Sequence, residues 1–389
     1  MGLQRGVLLG FLLCVPTLLV SQQPSTPSGT PPQTTPSTQE PLPNPILLPR
    51  PPAKPAPPPS AIAAGGRVHL DVLVTDAAGK PVTGLEPQNF KILDNNQPAK
   101  LLSFRSFDGV SVKPNPPVEV ILLFDTANLP FGAVANTRDQ VTKFLRQNGG
   151  HLAQPVSLMV LSDAGLRIQP RPSTDGNALV SVLETVKGQV QTINPAMGDE
   201  GALERLQLSL RQMATIADNE ARKPGRKLMI WVGPGWPMLD SKNFKFSEKD
   251  QKRYFDAIVD LSTNMRQARM TLDSVSLSDS STAGGRYTML YQDFLKGVSS
   301  PRQADTGNLA LKVLATQSGG LILGPDNDLV TQLNRCVAEA NAFYVLSFNP
   351  PAAVHADEYH DLKVNVDQPG VTARTSSGYY NQPLQENNP

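Results

Sequence analysis

Apolar residues fall into two patterns along this chain. Between about residues 118 and 340, short apolar runs alternate with segments whose apolar positions recur every three or four residues. On either side of that stretch, apolar and polar residues alternate one by one. The first pattern predicts strands buried on both faces of a parallel sheet with helices covering them, and the second predicts half-exposed antiparallel strands. The sharpest run covers residues 118–125 and stops on a carboxylate, Asp125, before the polar residues Thr126 to Asn128. A buried strand that ends on a carboxylate and passes through a loop into a helix is how open α/β sheets present a ligand site.

Strands are expected at residues 118–125, 156–161, 166–170, 227–232, 271–277 and 320–323, the third a short antiparallel edge strand that suits Pro170. Six helices are expected between and after them. The first takes Thr137 and Gln140 as a capping box, buries Val141, Phe144 and Leu145, and stops at Gly149-Gly150. The second starts from a Thr174/Asp175 cap, and the third buries Leu203, Leu206, Leu210, Met213 and Ala217. The fourth follows a Ser247/Asp250 cap, the fifth lies near 308–317, and the sixth buries Leu329, Leu333, Cys336, Val337 and Ala340. Outside this region, strands are expected at 68–75, 89–93, 100–107, 342–348, 359–366 and 371–375. Three strands cannot close a core alone, so the two flanking sets are expected to meet in one small β-sandwich. The fold expected is α/β: a doubly wound, mostly parallel six-stranded sheet with one antiparallel edge strand, residues 117–341, inserted into a sandwich built from 66–112 and 342–380. Residues 381–389 remain as a tail.

The N-terminal residues carry a different message. Arg5 precedes an apolar stretch, residues 7–20, too short to span a bilayer comfortably, and Leu19-Val20-Ser21 offers a cleavage site. Residues 1–21 are therefore expected to be an export signal, with an uncleaved anchor as the alternative. From residue 22 to 60, 15 of 39 residues are proline, so residues 22–65 are expected to be a disordered linker holding the folded part off a surface. A net charge of +1 with 18% charged residues gives no basic stripe for nucleic acid. Of the two cysteines, Cys14 lies in the export signal, so no disulfide framework is expected.

Asp125-Thr126-Ala127-Asn128-Leu129 and the strand before it resemble the first strand and metal-site loop of von Willebrand factor type A (VWA) domains, which carry D-x-S-x-S there. The order of elements matches as well. Three further motifs are Val72-Leu-Val-Thr-Asp-Ala-Ala-Gly-Lys-Pro-Val-Thr-Gly84, Phe343-Tyr-Val-Leu-Ser-Phe-Asn-Pro350 and Pro369-Gly-Val-Thr-Ala-Arg-Thr-Ser-Ser-Gly-Tyr379. These resemble exported, acidobacterial-type VWFA-related proteins, over roughly residues 66–381. The resemblance implies a fold and an exported compartment but no activity. In metal-binding VWA domains the two serines, a threonine before the third helix and an aspartate after the fourth strand complete the site. Here Asp125 is kept, both serines are gone, Thr192 lies in the right loop, and Gly233-Pro-Gly-Trp-Pro237 replaces the acid, with Asp240 further along.

An octahedral Mg²⁺ or Mn²⁺ site wants several oxygens, so Asp125 with Thr192 is expected to hold such an ion only weakly and no cofactor is expected. The plainer role for Asp125 is capping its own loop through backbone N–H groups. Trp236 is read in two ways: as an aromatic displayed to a partner together with Asp125, Thr126, Asn128 and Leu129, or as a side chain packed down over the strand ends. His355, Asp357, Glu358 and His360 match no zinc spacing and are expected in a solvated turn; Cys336 is expected to act as a small buried hydrophobe. Gly319 to Gly324 enters a strand, the reverse of a phosphate loop, and no Gly-x-Ser-x-Gly elbow occurs. The function expected is an exported, non-enzymatic module that binds a protein or cell-envelope partner, with no small-molecule substrate evident. The alternative is a structural or assembly component of the envelope; a metal-dependent adhesin or an enzyme comes after both.

Overall fold

The computed structural model describes residues 46–49, 66–185, 198–238, 247–277 and 290–383, with backbone only at 46–49 and 199. The expected export signal, Thr192, Asp240, most of the proline-rich segment and the end of the tail lie outside these residues. The first part of the chain forms β1 (Ile46–Pro49), β2 (Val68–Asp76), β3 (Phe90–Asp94), β4 (Gln97–Ala99) and β5 (Ser103–Asp108). Next come β6 (Glu119–Asp125), α1 (Phe131–Leu145), β7 (His151–Ser162), β8 (Gly165–Ile168), β9 (Ser173–Asp175), α2 (Gly176–Thr185) and α3 (Gly198–Ala221). The α/β part continues with β10 (Lys227–Val232), α4 (Glu248–Gln267), β11 (Met270–Val275), α5 (Leu311–Gln317), β12 (Ile322–Leu323) and α6 (Leu329–Ala338). Four strands close the chain: β13 (Ala342–Phe348), β14 (Glu358–Val366), β15 (Val371–Arg374) and β16 (Gly378–Asn381).

The large sheet runs β1-β8-β7-β6-β10-β11-β12, with β9 paired to β7. β7, β6, β10, β11 and β12 are parallel, whereas β8 pairs antiparallel with β7 on one side and with β1 on the other. The six expected strands are present, but the third, β8, is not the expected edge strand, because β1 pairs outside it; β9 is a further addition. Strand β6 lies between β7 and β10, where the direction of winding reverses. Its alternating side chains feed two cores. Ile121 and Leu123 join Met229 and Trp231 beneath α3, α4 and α5. Val120, Leu122 and Phe124 join Leu158 and Ile230 beneath α1, α2 and α6. All these strand residues are buried, which is why the runs are apolar without a break; each such side chain contributes roughly 1.5–3 kcal/mol on burial.

The flanking strands form two antiparallel four-stranded sheets, β15-β2-β13-β5 and β16-β14-β3-β4. Each sheet takes strands from both chain ends: β2 pairs with β13, and β3 pairs with β14. Their inner faces share one core of Val68, Leu70, Val72, Phe90, Ile92, Tyr344, Leu346, Phe348 and Leu362.

Arginines join this sandwich to the amino ends of the parallel strands, opposite the end where Asp125 lies. Arg226 is buried, donates to the Ala340 carbonyl at 2.9 Å, and stands 4.9 Å from the centre of the Phe343 ring. Arg269 grips Asp71 with Nε at 3.2 Å and Nη2 at 2.5 Å, and Arg374 pairs with Glu339 and donates to Gly319 O at 2.8 Å. Lys227, also buried, donates to the carbonyls of Glu220 and Gly225 at 2.8 and 3.1 Å, placing a cation against the carboxyl end of α3.

Two local expectations need correction. Helix α1 begins at Phe131, not at a Thr137 cap. The Pro130 carbonyl accepts the first turn's bond from Ala133 N at 2.8 Å, and Thr137 lies mid-helix with its hydroxyl donating to Ala133 O at 2.9 Å. Four residues in the expected linker, Ile46–Pro49, form a strand. The expected cap of α2 is made by Asp175, at the end of the short strand β9: its Oδ1 accepts from Asn177 N and Ala178 N at 2.9 and 3.1 Å.

Candidate functional site

Strand β6 delivers Asp125 to the carboxyl end of the sheet on the Ile121/Leu123 face. The chain then turns, held by Thr126, whose N–H and hydroxyl both donate to Leu161 O at 2.8 and 2.7 Å. Asn128 folds back onto the carboxylate: its N–H donates to Asp125 Oδ1 at 3.0 Å and its Nδ2 to Oδ2 at 2.8 Å. That Nδ2 also donates to Ser209 Oγ on α3 at 3.0 Å. Trp231 lies on the neighbouring strand and the same face, and its indole N–H donates to Asp125 Oδ2 at 2.9 Å. Asp125 is fully buried. Burial pushes its carboxyl up to about 6, against the pull of the bonds from Asn128 and Trp231.

Close approach of β10 makes this closure possible. Gly233 sits at φ +154°, and a Cβ there would stand 2.9 Å from the Cβ of Asp125. Gly235, at φ +74°, has room only for hydrogen against Leu311. This turn sends Trp236 inward. Its ring is 2% exposed, meets Trp231 edge-on at 5.4 Å, and its N–H donates to the Leu309 carbonyl at 3.1 Å.

The display of Trp236, Leu129, Asn128 and Asp125 to a partner is therefore corrected. All four are buried, because the indole N–H finds its acceptor below and Asn128 is spent on the carboxylate. Thr126 is half-buried. The apolar residue left on the surface of this loop is Phe131, 71% exposed at the start of α1. Sequence reasoning missed Trp231, Ser209 and Arg205. Trp231 was legible as the alternate neighbour of Met229. Arg205, on α3, is buried with one Nη lacking a hydrogen-bond partner; burial lowers its pKa, while Asp163 and Asp125 attract its charge.

A second polar cluster lies inside the sandwich. His360 on β14 is buried, with Nδ1 2.7 Å from Asp94 Oδ1 on β3, and the Tyr379 hydroxyl on β16 donates to Asp94 Oδ2 at 2.7 Å. The His360 and Tyr379 rings stack at 4.8 Å. The solvated turn expected for His360 is thus corrected: β14 begins at Glu358, and the period-two pattern turns His360 inward beside Leu362. Cys336 is buried beside Asp273, which burial pushes up to about 6. Among the described residues, no three His, Cys, Asp or Glu side chains are grouped so as to hold a metal ion. No described helix is long and apolar enough to cross a membrane.

No protein-family model matches the sequence, and no curated protein matches it. Among solved structures, the chain is similar to proximal thread matrix protein 1 of the mussel byssus at 10% identity, covering 57% of this chain and 47% of that one, with a TM-score of 0.32. It is similar to the pilus adhesin SpaC from Lactobacillus rhamnosus GG at 10% identity, over 76% of this chain and 48% of that one, with a TM-score of 0.34. The TFIIH p34 N-terminal domain matches at 14% identity over 57% of this chain and 96% of that one, with a TM-score of 0.27. The chain spans about half the length of the first two.

Proposed function

We propose that this chain is an exported, non-enzymatic binding module, in which a VWA-like α/β body engages a protein or envelope partner without a resident metal. One observation carries the reading: Asp125, the carboxylate at the winding reversal, already accepts three N–H donors and faces no solvent. Donors converge there, whereas a hard divalent cation needs a convergence of open oxygens. The charge of buried Arg205 is attracted by Asp163 and by this carboxylate. Among the described residues, the groups around Asp125 do not fit Mg²⁺ or Mn²⁺. A partner is then gripped by surface groups of the loop, for which exposed Phe131 is the anchor.

The test is a cross-linking pull-down from intact envelopes with wild type, Phe131→Ser and wild type in EDTA. Capture should survive EDTA and fall about tenfold with Phe131→Ser, as for loss of one aromatic anchor. EDTA-sensitive capture that Mn²⁺ restores would sink the metal-free reading. Capture unchanged by Phe131→Ser would remove this face as the contact.

A further inference from the structure

The outermost strand of the large sheet comes from a segment with no role in the sheet's connectivity. Strand β1 pairs antiparallel with β8, placing Ile46 opposite Ile168, Leu47 opposite Arg167, Leu48 opposite Leu166 and Pro49 opposite Gly165. Ile46-Leu47-Leu48 is also the sole run of three large aliphatic residues between residues 22 and 65. Without β1, β8 would present an open row of N–H and C=O groups, the template on which another strand adds. Gln169 N–H donates to Leu158 O at 2.9 Å, on the β7 side. Backbone groups alternate sides along an antiparallel strand, so Arg167 shares the β7 side, and Leu166 and Ile168 turn theirs toward β1.

Two properties make the occupant exchangeable. In this four-residue register Ile46 and Leu48 alone exchange ladder bonds with β8, few against the cost of ordering the segment, so the pairing opens readily. The covalent tether to the next described strand is residues 50–67, which at full stretch reaches at most about 60 Å. That is long enough to hand the strand to a neighbouring molecule.

We propose that the β8 edge is a strand-accepting site and that the partner it fits is the Ile46–Pro49 segment of a second copy of this chain. The acceptor recognises backbone in antiparallel register with a short aliphatic run, and a second copy offers the identical run. In dilute solution the tether keeps the chain's own strand in place, at an effective concentration of about millimolar. Where copies are crowded side by side, exchange competes. Exchange that empties one acceptor frees a strand for return, so two copies close on each other in a reciprocal dimer. This inference is independent of which face holds the proposed envelope partner.

Leu47 and Arg167 are opposed in register, and by the same alternation they form a non-hydrogen-bonded pair, with the shorter Cα separation. In a full-length Cys14→Ser background, Leu47→Cys/Arg167→Cys should oxidise with glutathione disulfide to an intrachain cross-link at low concentration; native Cys336 is fully buried. Mixing the two single variants should trap a covalent heterodimer as the protein approaches about 1 mM, at about tenfold the yield of a control mixture. The control pairs Leu47→Cys with Val110→Cys, a site that is 79% exposed. Failure of the double variant to cross-link overturns the acceptor site. An intrachain cross-link with heterodimer no more abundant than in the control overturns the second copy as its occupant.

Discussion

Asp125 and Asp273 are both buried in the large sheet, and the same isosteric change should act differently at the two. Burial pushes each carboxyl from its ordinary 3.8 to about 6. A raised carboxyl pKa means that between about pH 4 and 6 the folded chain holds protons that the unfolded chain has released. The contribution of each group is therefore most favourable below about pH 4 and declines as pH rises to about 6. At 1.36 kcal/mol per pH unit, the full decline is about 3 kcal/mol for each aspartate.

At Asp273, Oδ1 accepts from Leu321 N at 2.7 Å, Oδ2 has no N–H or O–H donor, and the Cys336 thiol beside the carboxyl is the one further, weak donor. An amide keeps the accepted bond and places NH₂ where the neutral acid carries its proton. Asp273→Asn should then gain up to about 3 kcal/mol at pH 8 and little at pH 4. Asp125 differs because both its oxygens accept from N–H groups. A neutral carboxyl still accepts through its hydroxyl oxygen, whereas an amide nitrogen cannot, so Asp125→Asn leaves at least one buried donor unpaired at about 1–3 kcal/mol. It should therefore lie about 1–3 kcal/mol below Asp273→Asn at pH 8. Urea melts at pH 4, 6 and 8, each variant compared with wild type at the same pH, cancel the other carboxylates. Equal gains at the two positions would refute the hydrogen-bond argument, and a Asp273→Asn difference that does not change with pH would refute the burial argument.

Two further outcomes follow from the packing. Gly233→Ala puts a Cβ 2.9 Å from that of Asp125 at φ +154°, and should cost about 2 kcal/mol or more in urea melts; a neutral result would mean that the turn relaxes freely. Truncation before Glu358 removes β14, β15 and β16, so residues 66–108 should become protease-sensitive; unchanged resistance there would break the link between the two chain ends.

Much of the architecture was legible because burial on two faces writes a continuous apolar run, as in β6 and β10, and because three flanking strands at each end lack a core alone. The Ser247 cap was legible for a local reason: its hydroxyl accepts from Asp250 N at 3.2 Å, three residues away. The interiors of the two polar clusters were not. Asp94 and His360 are 266 positions apart, and Asp125 and Trp231 are 106 apart, so no local window contains either pair. Their inward direction was nevertheless encoded, since Phe90, Ile92 and Asp94 share a face of β3, as His360 and Leu362 do on β14. Trp236 is a different case. A Gly/Pro turn carries no periodicity, and its direction follows from a partner, the Leu309 carbonyl, that only the folded chain supplies. Period thus fixes which side a polar residue faces, whereas its partner is fixed by register between distant strands. That distinction bears on function: the capping of its own loop by Asp125 reads from sequence and is made by Asn128 N–H, whereas Trp231 on the neighbouring strand, which helps close the second oxygen, does not.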